Sequence, residues 1–206
     1  AYKKYLGALA RGIKAFRSKH RVFLILVAME RLDARACEAL APEVGGAPVF
    51  SSEKSDMYQL VSILRVCSLI VSSRYHAMVT SMPGLVPSAG ITMDERIRNL
   101  LRERGHENLL LTVDDPDLES RLPVVMEHLV ADADAIRDGM ARSVVRNLKT
   151  MARMGVFLER EVHTRYPDFP VRSGVHSWEE YLPPLSGNLE RLLETYEGAT
   201  AMAVGN

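Results

Sequence analysis

Residues 68–81 read SLIVSSRYHAMVTS: an apolar run, two serines, then Arg74 and His76 two positions apart. An arginine presents a planar fork of donors that matches a phosphate or a carboxylate. A histidine two residues on can deliver a proton to whatever the arginine holds, and a bound dianion favours its protonated form. If the apolar run is a buried strand and a helix begins after it, the free N–H groups of the first helical turn point at the same place. Ser72 or Ser73 then caps the helix, and Arg74 lies in its first turn. These residue types at this spacing define an anion site with a proton donor beside it. The plainer alternative is a capped, solvated helix start.

Other polar residues fall at the ends of other apolar runs. Glu30, Arg31 and Asp33 follow the run at 21–28, and Ser88, Thr92, Asp94 and Arg96 lie within or after VPSAGI at 86–91. In an open α/β sheet ligands bind outside the carboxyl ends of the strands, so these residues are candidates to line the same mouth. Each also has a structural reading. Asp33 and Asp94 are natural helix caps, Ser88 and Thr92 are common in turns, and Glu30 and Arg31 suit a surface. RIRNLLRER at 96–104 fits a solvated helix face. His20 and His106 sit near helix ends, where a histidine meets the last carbonyls. His128, His163 and His176 have no metal-site spacing, and no metal ligand set is predicted. Cys37 and Cys67 lack any CxxC or Cys/His pattern and read as free thiols in a reducing compartment.

Composition narrows the class. The 206 residues are 47% hydrophobic, enough for a sizeable core, and Lys plus Arg balances Asp plus Glu at 26 each. A neutral chain argues against nucleic-acid binding through bulk charge. The longest apolar run, VFLILVAM at 22–29, is far too short to span a bilayer. No charged start leads into a cleavable apolar stretch, so a cytoplasmic location is expected.

The elements that must position the candidate residues follow from periodicity. Helical spacing covers 2–19, through Tyr5, Leu6, Leu9, Ile13 and Phe16, and returns at 34–41, 56–66, 73–82 and 94–104. Asp33 starts the second of these, and Pro42 with Gly45–Gly46 ends it. Between the helices lie short β-rich runs at 21–28, 47–50, 68–72, 86–91 and 109–113. This alternation predicts a Rossmann-like α/β domain over 1–131, with a parallel sheet and crossover helices. Its first element is a helix where a doubly wound domain more often opens with a strand, so the natural chain is expected to begin upstream. A helical extension occupies 132–206. It has a long helix at 133–165, a Pro/Gly/Ser-rich loop at 167–188, and a short helix at 188–197. Met140, Met151 and Met154 read as core or interface filler, and Trp178 as an anchor for the tail.

The stretch CSLIVSSRYHAMVTSMPGLVPSAGITMDERIRNLLRERG resembles the C-terminal domain of the polysaccharide pyruvyl transferase family. Arg74, His76, Gly84, Pro87 and Asp94 match that family's Ser-Arg-x-His strand end, Gly-x-Pro turn and Asp-x-Lys helix start in order and spacing. VFLILVAMERLDARACEAL resembles the strand and loop that carry an aspartate, here Asp33. The resemblance covers about residues 1–150. It implies the C-terminal half of a GT-B-like fold and transfer of the enolpyruvyl group of phosphoenolpyruvate to a sugar of a cell-surface polysaccharide, forming a pyruvate ketal. Arg74 would bind the phosphate or carboxylate of the donor, and His76 would protonate its methylene carbon. Ser72, Ser73, Tyr75, Asp33, Ser88, Asp94 and Arg96 would line the substrate site. The partners implied are phosphoenolpyruvate and a glycan or lipid-linked saccharide acceptor, with no cofactor. Tyr75 replaces the family's usual leucine, and Arg96 its lysine.

The family's N-terminal domain, with its Gly-Asn-x-Gly-Asp-like segment, has no counterpart here, nor has the strand expected before the helix at 2–19. A chain of this kind holds half a cleft. It is expected to be inactive alone, and to expose apolar surface that drives homodimerisation or unfolding. Two other readings stay open: a GT-B-type glycosyltransferase half in which Arg74 holds a nucleotide-sugar diphosphate, and a non-catalytic binding or assembly module built on the long helix.

Overall fold

The computed structural model describes residues 2–170 and 177–203, with side chains through 196. The His176 reading lies outside these. Two compact units divide at Met140/Ala141, inside the long helix α7, Ala133–Arg165. The 131/132 junction drawn from the sequence separates α7 from the preceding helix α6, Leu118–Ala131.

The first unit alternates helix and strand: α1 Tyr2–Arg17, β1 Leu26–Ala28, α2 Arg31–Glu43, β2 Val49–Ser51, α3 Met57–Arg65, β3 Ile70–Ser72, α4 Tyr75–Ser81, β4 Ser88–Ile91, α5 Glu95–Glu103, β5 Leu110–Leu111 and then α6. Every pairing is parallel. Leu26 faces Val49, Ile70 faces Ser88 and Gly90 faces Leu110. The strands form two sheets, β1–β2 and β3–β4–β5. This is a mixed α/β architecture of parallel sheets with crossover helices, in the Rossmann-like class.

The crossovers sort the helices onto two faces. Right-handed connections that step in opposite directions along a sheet put their helices on opposite sides. α2 packs on β1 and β2, α6 packs on β4 and β5, and α1 lies against both α2 and α6. On the other face α3, α4 and α5 form a row. One apolar core spans the sheets on that side: Met29 beyond β1, Leu60 and Leu64 of α3, Ile70 of β3, Ala77 of α4 and Val86. α1 and α6 approach closely. Pro123 removes the N–H that would bond the Glu119 carbonyl within α6. That carbonyl lies 3.1 Å from where a Cβ on Gly12 would stand.

The strands are shorter than the apolar runs that carry them. Only 26–28 of the 21–28 run is strand, because its partner β2 is three residues long, and Phe23 is 85% exposed. α2 runs three residues earlier and two later than expected. Pro42 sits inside its last turn, and the chain is turned by Gly45 and Gly46 at φ 83° and 86°. Asp33 is the third residue of α2, not its cap; its carboxylate accepts from the N–H of Glu30, which holds the cap position.

In the second unit, the distal part of α7 is joined by a short 3₁₀ turn, Trp178–Tyr181, and by α8, Gly187–Ala203. The Trp178 ring lies under the Lys149 ammonium, 5.6 Å from its centroid, so the tail is anchored on α7. Met140 is fully buried in the first unit, whereas Met151 and Met154 are largely exposed. Among the described residues no helix is long and apolar enough to cross a membrane.

Gly90 in β4 is where the packing is tightest beside the strand ends. A Cβ there would lie 2.6 Å from Cγ2 of Ile97 and 3.2 Å from Cδ1 of Leu110. Gly90→Ala is expected to cost about 1–3 kcal/mol through overpacking, read as a lowered urea midpoint at unchanged m-value.

Candidate functional site

β1 leads to β2 in one sheet and β3 to β4 in the other, and side chains that leave the carboxyl ends of β1 and β3 meet each other. We call this meeting the switch point: charged groups converge at carboxyl ends of strands, where open α/β sheets bind their ligands. Glu30 and Asp33 leave the end of β1, Arg74, Tyr75 and His76 leave β3, and Thr92, Asp94 and Arg96 leave β4.

Arg74 is the hub. Its Nε lies 3.0 Å from both Asp33 carboxylate oxygens and its Nη2 2.5 Å from Oδ1, while Nη1 meets Glu30 at 3.2 Å. A fork-on-carboxylate contact of this kind fixes the guanidinium plane. The hydrogen bonds to Asp33 hold the Arg74 guanidinium above its ordinary range, with Glu30 adding to the same effect.

A second arginine closes the other side. Arg96 donates through Nε and Nη2 to the Asp94 carboxylate, the shortest contact being 2.7 Å, and its guanidinium stacks 5.3 Å from the centre of the Tyr75 ring. Those hydrogen bonds hold the Asp94 carboxyl below the usual carboxylate range and Arg96 above its own, with smaller contributions to Arg96 from Tyr75 and Glu30. Asp94 also caps α5, accepting from the Arg96 N–H at 2.8 Å, and its own N–H is held by Thr92 Oγ1 at 2.9 Å. Tyr75 meets His76 edge to face at 5.7 Å, and His76 is exposed.

Three local expectations are corrected. Neither Ser72 nor Ser73 caps α4; Arg74 occupies that position in extended conformation. Ser72 instead folds the turn, its Oγ accepting from the Arg74 N–H at 3.0 Å, and Ser73 is exposed without such a contact among the described residues. Ser88 does not reach the mouth. It is the first residue of β4, at the opposite end of the sheet, and its hydroxyl accepts from Arg104 Nη1 at 3.3 Å. Burial pulls the Arg104 guanidinium down to about 10. Glu30, a candidate both for the mouth and for the surface, is a member of the cluster. No local pattern points to its pairing with Arg74, because the partners lie 44 positions apart in the chain.

Both cysteines are free and half-buried, and burial pushes their thiols up. Among the described residues no group of three or more His, Cys, Asp or Glu side chains is placed to hold a metal ion. An open hollow of about 560 Å³ lies over the start of α3, lined by Phe50, Asp56, Tyr58 and Gln59, and it includes none of the charged groups at the switch point.

Set against known protein families, curated proteins and solved structures, the chain shows no significant match. Fold and site therefore define the class by themselves: a parallel α/β domain with two arginines and three carboxylates gathered at the switch point of its strands.

The Arg74–Asp33 contact is partly shielded, the two side chains being 37% and 19% exposed. A double-mutant cycle of Arg74→Ala and Asp33→Ala is expected to give a coupling of about 1–2 kcal/mol, above that of an ordinary surface pair. The same cycle on Arg31 and Glu53, an exposed pair at 3.2 Å, is expected to give about 0–0.5 kcal/mol.

Proposed function

We propose that the switch-point cluster is the phosphoenolpyruvate site of a polysaccharide pyruvyl transferase. The observation that carries this reading is the position of Arg74, a fork-shaped cation leaving β3 at the switch point two residues before an exposed His76. The motif residues Arg74, His76 and Asp94 of the pyruvyl transferase resemblance all fall at this mouth.

The chemistry needs a cation for the donor's anionic groups and an acid for its methylene carbon. Asp33 holds the Nε edge of Arg74, and only Glu30 holds Nη1, at 3.2 Å and from a half-exposed side chain. A phosphate or carboxylate of the donor would displace Glu30 and leave Asp33 orienting the guanidinium. His76 would then give its proton to C3 of the enolpyruvyl group. The electron pair of the C2–C3 double bond forms the new C–H bond and leaves an oxocarbenium-like centre at C2. A sugar hydroxyl bonds to C2 and gives its proton back to His76, phosphate departs with the C2–O electron pair, and a second hydroxyl bonds to C2 and loses its proton to the departing phosphate, closing the ketal. Arg74 and Arg96 would stabilise the departing phosphate by fixed charge. Tyr75, between Arg96 and His76, offers a ring face and a hydroxyl to the acceptor sugar.

Thermal-shift titration reads the binding step, because a ligand that binds only the folded state raises the midpoint with its concentration. Phosphoenolpyruvate is expected to stabilise the protein, and Arg74→Ala to abolish the effect. Glu30→Gln is expected to tighten binding about three- to tenfold by removing the competing carboxylate, an effect on the order of 1 kcal/mol. A response confined to nucleotide-sugars would replace this reading with that of a glycosyltransferase half. Phosphate release from phosphoenolpyruvate with a glycan acceptor, in the full-length protein, tests the acid: wild-type turnover by His76→Ala would remove that role from His76.

A further inference from the structure

We propose that the exposed face of the distal half of α7 is an interfacial helix that lies on an anionic lipid surface. Its large apolar side chains are not turned inward: Met151, Met154, Phe157 and Leu158 are 45%, 64%, 58% and 66% exposed. At about 100° per residue they fall within one arc about 120° wide, so they form a single stripe. The packed side of the helix lies elsewhere. Ala152 is fully buried, and a Cβ on Gly155 would overlap the Tyr181 ring. Four large apolar side chains on about two turns of one exposed face mark an interaction surface.

Charge identifies what covers it. Residues 141–165 carry six Lys or Arg and two Glu, in a chain that is neutral overall. Arg146, Arg153 and Arg160 recur every seven residues and are all exposed, so they form a row along one flank of the stripe. Arg142 and Lys149 fall on the same side of the helix. The Arg160 guanidinium lies 5.8 Å from the centre of the Phe157 ring, so row and stripe adjoin. Glu161 and Arg165 follow at the end of the stripe and pair with each other at 3.2 Å, which leaves no net charge there. Glu159 falls on the far side. An apolar stripe with a cationic flank is the pattern of helices that rest in a membrane interface. Arginine stems are long enough to keep the guanidinium at the phosphates while Met, Phe and Leu sink below them. Tyr166, exposed just past the end of α7, is a residue type enriched at that level.

A second copy of the chain fits this face less well. Two copies of α7 packed antiparallel on the stripe bring like flanks together, and the arginine row of one faces the row of the other. Packed parallel, the row faces the opposite flank, where Gly155 is already covered by Tyr181. A nucleic acid would use the cations through its phosphates and leave the stripe in water. A lipid surface takes both. It also requires no span: the helix lies in the plane of the interface, and no described helix is long and apolar enough to cross a membrane. None of this depends on the anion chemistry at the mouth.

Vesicle co-sedimentation of the whole chain tests the proposal. Vesicles of phosphatidylcholine with about one third phosphatidylglycerol are expected to bind it about tenfold or more tightly than pure phosphatidylcholine, because each basic residue near an anionic surface adds attraction. Raised salt is expected to weaken the binding. Arg153→Gln with Arg160→Gln is expected to lower partitioning about tenfold, and Arg153→Lys with Arg160→Lys to leave it near wild type. Met154→Ser with Leu158→Ser is expected to lower it about tenfold or more, since the apolar area that sinks below the phosphates is lost. These side chains are exposed, so the melting temperatures of all three variants are expected to match wild type. Binding that ignores lipid charge, binding that survives the serine pair, or no binding to either vesicle would overturn the proposal. Dimerisation that the serine pair abolishes, without vesicle binding, would give the face to a second copy and overturn it. Binding of double-stranded DNA that displaces the vesicles and is untouched by the serine pair would give the row to a nucleic acid, and would overturn it as well.

Discussion

The Arg74 bridge to Asp33 and Glu30 joins two sheets that, among the described residues, no backbone hydrogen bond joins. β1–β2 and β3–β4–β5 are held in common by an apolar core on the α3–α4 side and by this charged contact at the carboxyl ends. The core contributes most of the attraction, because burial of Leu60, Leu64, Ile70 and Val86 removes large apolar areas from water. It is non-directional. The arginine fork adds what the core lacks: a fixed relation between the end of β1 and the end of β3, set by two guanidinium nitrogens on one carboxylate. The groups that could act on a ligand are the groups that set the spacing of the mouth.

This arrangement sets the terms on which an anion can enter. Arg74 and Arg96 bring two positive charges to the mouth, and Glu30, Asp33 and Asp94 bring three negative ones. The cluster is not a bare cationic receptor. An incoming dianion competes with carboxylates already in place, so its affinity depends on which carboxylate yields. Asp33 is shielded and doubly bonded, Asp94 is tied into the α5 cap, and Glu30 meets Arg74 once, at 3.2 Å, from a half-exposed side chain. Exchange at Glu30 leaves the other two undisturbed. An arginine oriented by one carboxylate and released by another is preorganised for a planar oxyanion, which a freely rotating surface arginine is not.

The order of elements was legible because buried parallel strands and amphipathic helices leave different periods in the sequence. All five runs predicted as strands overlap one, and the helices around 2–19, 56–66, 73–82 and 94–104 stand within a few residues of their expected places. Strand length was not legible, since apolarity marks burial rather than pairing: Val22 and Phe23 continue the apolar run of β1 yet are exposed. The site was legible residue by residue but not as a set of contacts. Arg74, His76, Asp33, Asp94 and Arg96 are recognisable as types at strand ends, whereas the Arg74–Asp33 fork joins residues 41 apart and leaves no local trace. Ser88 was misplaced for a related reason. A strand's polar end residue looks the same at either end until the direction and extent of pairing are known.

The interruption of the sheet also bears on the geometry of the mouth. In a doubly wound sheet the crevice lies between strands that diverge, and the loops after those strands form its walls. Here the loop after β1 supplies Glu30 and Asp33, the loop after β3 supplies Arg74 to His76, and the loop after β4 supplies Asp94 and Arg96.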